Sequence, residues 1–324
     1  MTADAAPLLE VTDLHVRHHR GAGSVALVDG ISFRIGRGEI FGLVGESGSG
    51  KSISALATVR LLPDGISTTG TVKLDGQNLM GLSEAAMRAV RGGQISMIFQ
   101  EPTAALNPVF TIGSQIIAAI RAHLPLGRQA ARAQAVELLR QVGIPDPANR
   151  LAFYPHQLSG GMCQRVMIAM ALAGGARLVI ADEPTTALDV TIQAEIVRLL
   201  ERLVRQTGIG LLFISHDLGL VARLCDRLAV AYAGEIVETG TTSTLLQAPM
   251  HPYMQGLIKC VADFEDIGQL RGGIPGTPPM PGAWPRGCRF QARCDFATAG
   301  CEQRQELRSV APGHQVRCWR AGTV

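Results

Sequence analysis

Several features that would indicate a membrane-spanning, nucleic-acid-binding or secreted protein are missing from this sequence. Aromatic residues make up only 4% of the 324 residues, which argues against a surface that stacks on nucleobases. The 30 basic and 27 acidic residues leave a formal net charge of +3, so nucleic acid is not expected as the main partner. No apolar run reaches the roughly 18 residues of a membrane span. The first residues lack a basic segment followed by an apolar core, so we expect a cytosolic chain without a secretory signal.

What is present indicates an α/β protein. Hydrophobic residues make up 47% of the chain and charged residues 18%, which is typical of a globular protein. Short apolar runs recur along the chain and are separated by helical patterns. They predict a largely parallel main sheet that is covered on both faces. These runs are 40–44, 95–99, 178–181, 211–214 and 228–232.

Three regions depart from that alternation. Residues 8–12 and 31–35 predict a pair of antiparallel strands at the start of the chain. The region from about 101 to 176 contains three helical patterns and no strand pattern, so we expect an inserted helical subdomain. Residues 272–285 are dense in proline and glycine and predict an extended connector to a Cys-rich tail. The three helical patterns cover 111–122, 129–142 and 161–173.

One motif matches the P-loop pattern at all eight positions, follows an apolar strand and opens a helix. In such a loop the backbone N–H groups turn inward around phosphate oxygens, and the helix N-terminus adds positive potential. The lysine is expected to reach the β- and γ-phosphates, and the last serine is expected to bind Mg²⁺. The motif is Gly45-Glu46-Ser47-Gly48-Ser49-Gly50-Lys51-Ser52.

Polar residues at the ends of three other predicted strands supply the rest of a hydrolytic site. Asp182 ends an apolar strand and is expected to hold Mg²⁺, and Glu183 comes next as a candidate general base. His216 ends another apolar run and is a candidate hydrogen-bond donor to the γ-phosphate. Gln100 follows the strand at 95–99 and is expected to contact both Mg²⁺ and the attacking water.

A second phosphate-binding element lies at Ser159-Gly160-Gly161. Serine is a favourable N-cap, and the glycines allow a close approach to the start of a helix. One nucleotide on the P-loop leaves this second helix start without a ligand from the same chain. We therefore expect a composite site between two head-to-tail nucleotide domains, with each γ-phosphate between one P-loop and the partner's Ser-Gly-Gly.

Taken in order, these motifs resemble the nucleotide-binding subunit of ABC transporters across roughly residues 8–245. The resemblance implies a P-loop NTPase fold with an antiparallel β subdomain, an inserted helical subdomain and a small Cys-rich C-terminal extension. It assigns Glu183 as catalytic base, Asp182 and Ser52 as Mg²⁺ ligands, and His216 as the γ-phosphate contact. It also implies that Asp189 lies in the loop that crosses the dimer interface.

Two positions depart from the family pattern. The fifth residue of the signature is usually Gln and is Met162 here; hydrolysis is expected to survive, because only the backbone and Ser159 need to face phosphate. The aromatic residue that usually stacks on adenine is absent, and His18 is its nearest counterpart. His18 either stacks on adenine or belongs to a solvated basic loop.

Further motifs resemble the oligopeptide and dipeptide importers of the same family. They are the loop 99–108, the tripeptide His251-Pro252-Tyr253, and the segments 274–281 and 287–294. The predicted domains are therefore a nucleotide-binding domain at 1–250 and an importer-type extension at 251–324. Members of this group import di- and oligopeptides, and related members carry nickel complexes, glutathione or oligosaccharides.

The resemblance also implies the partners and the place of action. We expect two transmembrane permease subunits, a second ATP-binding subunit that is either a paralogue or an identical copy, and an extracytoplasmic substrate-binding protein. The chain would lie on the cytoplasmic face of the inner membrane as a peripheral subunit. A soluble ABC ATPase of DNA repair or translation is the alternative of another class; such proteins usually carry two nucleotide domains or a long coiled coil.

Four of the seven cysteines lie in the last 40 residues: Cys288, Cys294, Cys301 and Cys318. Their spacing matches neither a zinc knuckle nor the compact ferredoxin run. Three interpretations compete, namely an iron–sulfur cluster, a Cys₄ zinc site, and plain buried thiols or occasional disulfides. The resemblance to importers favours a [4Fe–4S] cluster with a structural or redox-sensing role.

Overall fold

The computed structural model describes residues 6–21, 23–186, 188–265 and 273–323. The chain divides into two compact units. The first comprises Met1–Ile35, Ile40–Met80 and Ile214–Val324, and the second comprises Gly36–Glu39 and Gly81–Phe213. In chain order the strands and helices are β1 (Leu9–Arg20), β2 (Gly23–Ile35), β3 (Ile40–Val44), α1 (Lys51–Thr58), β4 (Ile66–Leu74), β5 (Gln77–Asn78), α2 (Glu84–Val90), β6 (Ile95–Ile98), α3 (Pro102–Ala105), α4 (Ile112–His123), α5 (Arg128–Gln141), α6 (Pro147–Arg150), α7 (Gly160–Leu172), β7 (Leu178–Asp182), α8 (Val190–Thr207), β8 (Gly210–Ser215), α9 (Leu218–Leu224), β9 (Arg227–Tyr232), β10 (Glu235–Thr241), α10 (Thr242–Gln247), α11 (Pro252–Glu265), β11 (Arg308–Ala311) and β12 (His314–Val316).

The antiparallel strands predicted at the start of the chain are confirmed, although they are longer than the sequence indicated. In the first unit β1 pairs antiparallel with both β2 and β4, and the four-stranded sheet has the order β2-β1-β4-β5. Leu9 and Val11 are buried, as are Leu14 and Val16. A bulge lies between the two pairs, at Asp13, whose φ is +50°. It shifts the alternation by one residue, so a strict period of two ended the predicted strand too early.

The remaining strands of the first unit have the order β11-β12-β10-β9-β3. Strands β3 and β9 are parallel, and the pairs beyond β9 are antiparallel. All five residues of β3 are buried, which explains its continuous apolar sequence. The expected parallel pairing therefore holds for β3 and β9, but the antiparallel edge formed by β10, β12 and β11 was not predicted.

The second unit contains the predicted helical region. Helices α4, α5 and α7 lie within one residue of the three predicted helical patterns, with no strand between β6 and β7. Strands β6 and β7 are parallel, and β8 is the neighbour of β7. Strand β7 is buried throughout because helices and neighbouring strands exclude it from water. The buried face of α8 includes Ile196, Leu199 and Leu203, at the spacing of one side of a helix.

The C-terminal segment belongs to the first unit. Residues 273–285 form neither helix nor strand, as their proline and glycine content predicted. The hairpin of β11 and β12 attaches to β10 through the antiparallel pairs Glu238–Val316 and Thr239–Gln315. The domain boundary at residue 250 stays a prediction. Among the residues that the structure describes, no helix combines the length and apolarity needed to cross a membrane.

Candidate nucleotide-binding site

The phosphate loop has the backbone that its glycines predicted. It leaves the buried strand β3 and ends where α1 begins at Lys51. Gly50 precedes the helix with φ +98°, in the left-handed region that favours glycine. At Gly45 a side-chain Cβ would collide with the backbone carbonyl of Ala231 on β9, so glycine is required there for close packing.

The Lys51 ammonium is held close to the loop and is largely buried, at 5% exposure. Its Nζ donates hydrogen bonds to the carbonyl oxygens of Gly45 at 2.8 Å and Glu46 at 3.0 Å. A compact positive charge at this point in the loop suits phosphate oxygens. The arrangement is consistent with the role that the sequence assigned to Lys51, which stays a prediction.

Two side chains of the C-terminal extension contact the second residue of this loop, and no sequence pattern predicted either contact. The Arg293 guanidinium forms an ion pair with the Glu46 carboxylate, with the closest N–O distance at 2.7 Å. The backbone N–H of Glu46 donates to the Tyr253 hydroxyl at 2.9 Å. No local pattern links residues 207 or more positions apart, and only the importer-type motifs around both residues marked them as special.

Gln100 and Glu183 lie together in the second unit. Glu183 directly follows β7, and its Oε2 accepts hydrogen bonds from Gln100 Nε2 at 3.3 Å and from Thr186 Oγ1 at 3.0 Å. Glu183 has φ +47°, a costly conformation for a residue with a side chain. Asp182, the last residue of β7, is 8% exposed. The carboxylate proposed as base is thus oriented by two polar neighbours, one of which the sequence named.

The predicted signature forms the start of α7. The Ser159 hydroxyl accepts a hydrogen bond from the Met162 N–H at 3.3 Å, which is the expected N-cap. Gly160 and Gly161 open the helix, and a Cβ at Gly161 would lie 2.8 Å from Ile192 on α8. Met162 contributes its backbone to the cap, so the departure from the family pattern leaves the cap formed.

Of the other predicted residues, two lie at a helix or strand end and one lies within a strand. Asp189 caps α8 by accepting a hydrogen bond from the Ile192 N–H at 3.0 Å, which is a structural role, and its place at the dimer interface stays a prediction. His216 follows β8 in the first unit and is exposed. His18 lies on β1 opposite Val25 of β2 and Ile66 of β4, and its stacking on adenine stays a prediction.

The four C-terminal cysteines line one small cavity in the first unit, of about 20 Å³. The Cys288 N–H donates to the Cys301 carbonyl at 2.8 Å, and the Trp319 indole N–H donates to the Cys301 sulfur at 3.4 Å. Burial raises the pKa of the Cys288 thiol to about 11 and also raises the pKa of the Cys294 and Cys318 thiols. Across the described part of the chain, no three or more His, Cys, Asp or Glu side chains form a group that could hold a metal ion. This absence gives the predicted iron–sulfur cluster no support, and the cluster stays a prediction.

Comparison with known proteins agrees with the motifs. Residues 28–186 match the family model of the ABC transporter, and residues 237–301 match the model of the oligopeptide/dipeptide transporter C-terminal region. A putative peptide import ATP-binding protein of Brucella abortus is 46% identical over 314 residues, covering 97% of this chain and 95% of that protein. The dipeptide transport ATP-binding protein DppD of Escherichia coli is 45% identical over 313 residues, covering 96% of each chain.

Solved structures give the same fold. The dimeric structure of MJ0796, a bacterial ABC transporter cassette, is 25% identical and superposes with a TM-score of 0.64. The match covers 72% of this chain and 98% of the cassette. The post-hydrolysis dimer of the same cassette with ADP and Pi has the same TM-score of 0.64 at 24% identity.

Proposed function

The chain belongs to the ATP-binding proteins of ABC transporters and is an ATPase of that type, and from this premise we propose that it drives the import of di- and oligopeptides. The observation that carries the proposal is similarity over nearly the whole chain to peptide and dipeptide import ATP-binding proteins. It includes residues 237–301, which match the C-terminal region of oligopeptide/dipeptide transporters. That region lies outside the part common to ABC ATPases in general, so it favours the peptide importers over other members.

In the proposed reaction, Glu183 takes a proton from a water molecule as that water attacks the γ-phosphorus of ATP. The bond between the γ-phosphorus and the β–γ bridging oxygen breaks, and ADP and phosphate leave. The hydrogen bonds from Gln100 at 3.3 Å and Thr186 at 3.0 Å support this role, because they orient the Glu183 carboxylate. His216 is proposed to donate a hydrogen bond to the γ-phosphate.

The nucleotide is proposed to bind through the loop from Gly45 to Ser52, with Lys51 against the β- and γ-phosphates. Ser52, Asp182 and Gln100 would hold Mg²⁺, which would neutralise charge on these phosphates when bound. All three supply oxygen atoms, which are the ligands that Mg²⁺ prefers. The adenine contact proposed for His18 completes the set.

We propose that hydrolysis requires two nucleotide domains. Ser159, Gly160 and Gly161 would bind the γ-phosphate held by the partner's phosphate loop, and Asp189 would lie at the same interface. The N-cap at Ser159 supports this, because a helix start with a short polar cap attracts an anion. ATP then stabilises the closed dimer, and hydrolysis releases it, which is the two-state coupling that transport needs.

The proposed assembly contains two transmembrane permease subunits, a second ATP-binding subunit and an extracytoplasmic substrate-binding protein, with this chain on the cytoplasmic face of the inner membrane. The test is affinity purification of the tagged chain from detergent-solubilised membranes. Recovery of two polytopic membrane proteins supports the importer. A chain recovered without them, in association with DNA or ribosomes, would identify a soluble ABC ATPase instead.

The cargo is tested by measuring which compounds stimulate ATP hydrolysis. Peptide import predicts that di- or oligopeptides stimulate ATP hydrolysis by the assembled complex with its binding protein. Nickel complexes, glutathione and oligosaccharides are the alternative cargoes. Stimulation by one of these and not by peptides would reassign the cargo and leave the ATPase function in place.

For the four-cysteine cluster we propose a [4Fe–4S] centre of structural or redox-sensing role. What supports it is that all four sulfur-bearing residues line one cavity. What opposes it is that the described side chains contain no group of three or more arranged for a metal. Binding would require the raised thiol pKa values to fall, because thiolates are the ligands.

Anaerobic purification followed by iron, sulfide and zinc analysis decides among the three interpretations. The proposal predicts about four iron and four sulfide per chain and a brown chromophore. A colourless chain with one zinc would indicate a structural Cys₄ site. A metal-free chain that folds normally would show that the cysteines are plain buried thiols.

A further inference from the structure

Arg293 of the C-terminal extension forms a bidentate ion pair with Glu46 of the phosphate loop. Arg293 Nη1 donates to Glu46 Oε2 at 2.7 Å, and Arg293 Nη2 donates to Glu46 Oε1 at 3.0 Å. A bidentate pair of this kind is stronger and more directional than a single hydrogen bond. The side chains are 5% and 27% exposed, so water screens the pair less than it screens a surface ion pair.

The other polar groups of Glu46 are engaged as well. Its N–H donates to the Tyr253 hydroxyl at 2.9 Å. Its carbonyl accepts from Lys51 Nζ at 3.0 Å and from the Ser49 N–H at 3.2 Å. The extension therefore holds Glu46 at two points, and Glu46 in turn contacts the lysine expected to bind phosphate.

Arg293 is itself fixed. It donates to the Pro275 carbonyl at 2.7 Å, to the Ile274 carbonyl at 3.2 Å and to the Tyr232 hydroxyl at 3.3 Å. Burial lowers the pKa of Arg293, but the hydrogen bonds to Glu46 and Tyr232 outweigh burial, and the net shift is upward. The side chain is a permanent cation in a fixed position.

The segment that carries Arg293 is anchored through Arg289 and Phe290. Arg289 forms an ion pair with Asp29 on β2 and donates to the Ala233 carbonyl at 2.6 Å. The Phe290 ring packs against Tyr232 at 5.3 Å and Tyr253 at 5.4 Å between centroids. These contacts fix the backbone next to Arg293. A side chain that holds a loop in one conformation needs such support.

Without Arg293, Glu46 would place an uncompensated carboxylate within a loop that must accept a polyanion. We propose that Arg293 is a positioning residue of the nucleotide site: it neutralises and orients Glu46, so that ATP affinity depends on the C-terminal extension. The inference rests on the proposed nucleotide role of the loop from Gly45 to Ser52. It adds a function for the extension, which the hydrolytic residues do not explain.

The test is a double-mutant cycle on the full-length chain, with Mg²⁺ and ATP titrated at two salt concentrations. Arg293→Gln is expected to raise the Kd for ATP about tenfold at low salt, because repulsion by Glu46 is no longer compensated. The loss of ATP affinity should be smaller at high salt, since salt screens the repulsion between Glu46 and the phosphates. Adding Glu46→Gln to Arg293→Gln should recover most of the lost affinity, an effect that a purely structural arginine would not produce.

Arg304→Gln is the matched control. Arg304 is another arginine of the extension, and it contacts Asp29 at 3.3 Å with 65% exposure, so its loss should leave the Kd for ATP at the wild-type value. Unchanged ATP affinity in a folded Arg293→Gln chain would overturn the proposal, and so would a double variant that binds no better than Arg293→Gln.

If Arg293→Gln does not fold, Arg293→Lys provides the test. Lysine keeps the positive charge but cannot form the bidentate hydrogen bonds of the guanidinium. Weakening of about threefold supports the positioning role, and unchanged affinity overturns it. A wild-type chain that does not bind ATP would contradict the proposed function itself and this inference with it.

Discussion

Glu183→Gln is expected to abolish steady-state ATP hydrolysis by the assembled complex while ATP binding is retained. The substitution keeps the shape of the side chain and its hydrogen bonds to Gln100 and Thr186, but amide oxygen is a far weaker base than carboxylate. General-base catalysis typically contributes about 10²–10⁴-fold, so activity should fall to roughly a hundredth of wild type or less. Because the phosphate contacts remain, the variant should accumulate as a closed, ATP-bound dimer.

The measurement is phosphate release under saturating ATP, together with size-exclusion chromatography in ATP and Mg²⁺. Glu201→Gln on α8 is a matched control, since it makes the same change at an exposed position and should hydrolyse ATP at the wild-type rate. Hydrolysis retained above about a tenth of wild type would remove Glu183 from the base role.

Ser159→Arg is expected to stop hydrolysis at the phosphate loop of the partner subunit and not at its own. The substitution removes the N-cap that the Met162 N–H reaches at 3.3 Å and places a bulky side chain where the partner's γ-phosphate is expected. The loss should reach about a hundredfold or more, as for removal of a group that stabilises developing charge. An isolated chain should still bind ATP, because its own phosphate loop is unaltered by the substitution.

Mixed dimers test this directly. One subunit carries both Lys51→Ala and Ser159→Arg and its partner is wild type, so that the only intact phosphate loop faces the altered signature, and this pairing should be inactive. Ser83→Arg is the control, because Ser83 caps α2 through the Ala86 N–H at 3.2 Å and lies outside the predicted site. If Ser159→Arg weakened ATP binding to the isolated chain, the composite-site proposal would be wrong.

Local patterns predicted the parts of the fold in which each residue contacts its near neighbours in sequence. The glycines of the phosphate loop, the N-cap at Ser159 and the helices α4, α5 and α7 all follow from spacing over a few residues. Gln100 and Glu183 were each predicted to follow an apolar strand, and the parallel pairing of β6 with β7 brings their side chains into contact.

The contacts of the extension did not follow, for a physical reason. Arg293 and Glu46 are 247 positions apart, and neither sequence segment contains a periodicity that identifies its partner. The pairing of β12 with β10 depends on the long connection between them, whose path no turn motif specifies. The iron–sulfur prediction rested on four clustered cysteines and on the resemblance to importers, whereas metal binding requires a geometry that sequence spacing does not determine.

ATP-driven peptide import can be measured as uptake of a labelled dipeptide into proteoliposomes. The vesicles would contain this chain, the second ATP-binding subunit and the two permease subunits, with the binding protein on the opposite side. We expect uptake that requires ATP on the side of this chain, is lost with Glu183→Gln and is blocked by unlabelled peptides. A complex that hydrolyses ATP but moves no peptide, or moves it equally well without ATP, would contradict the account.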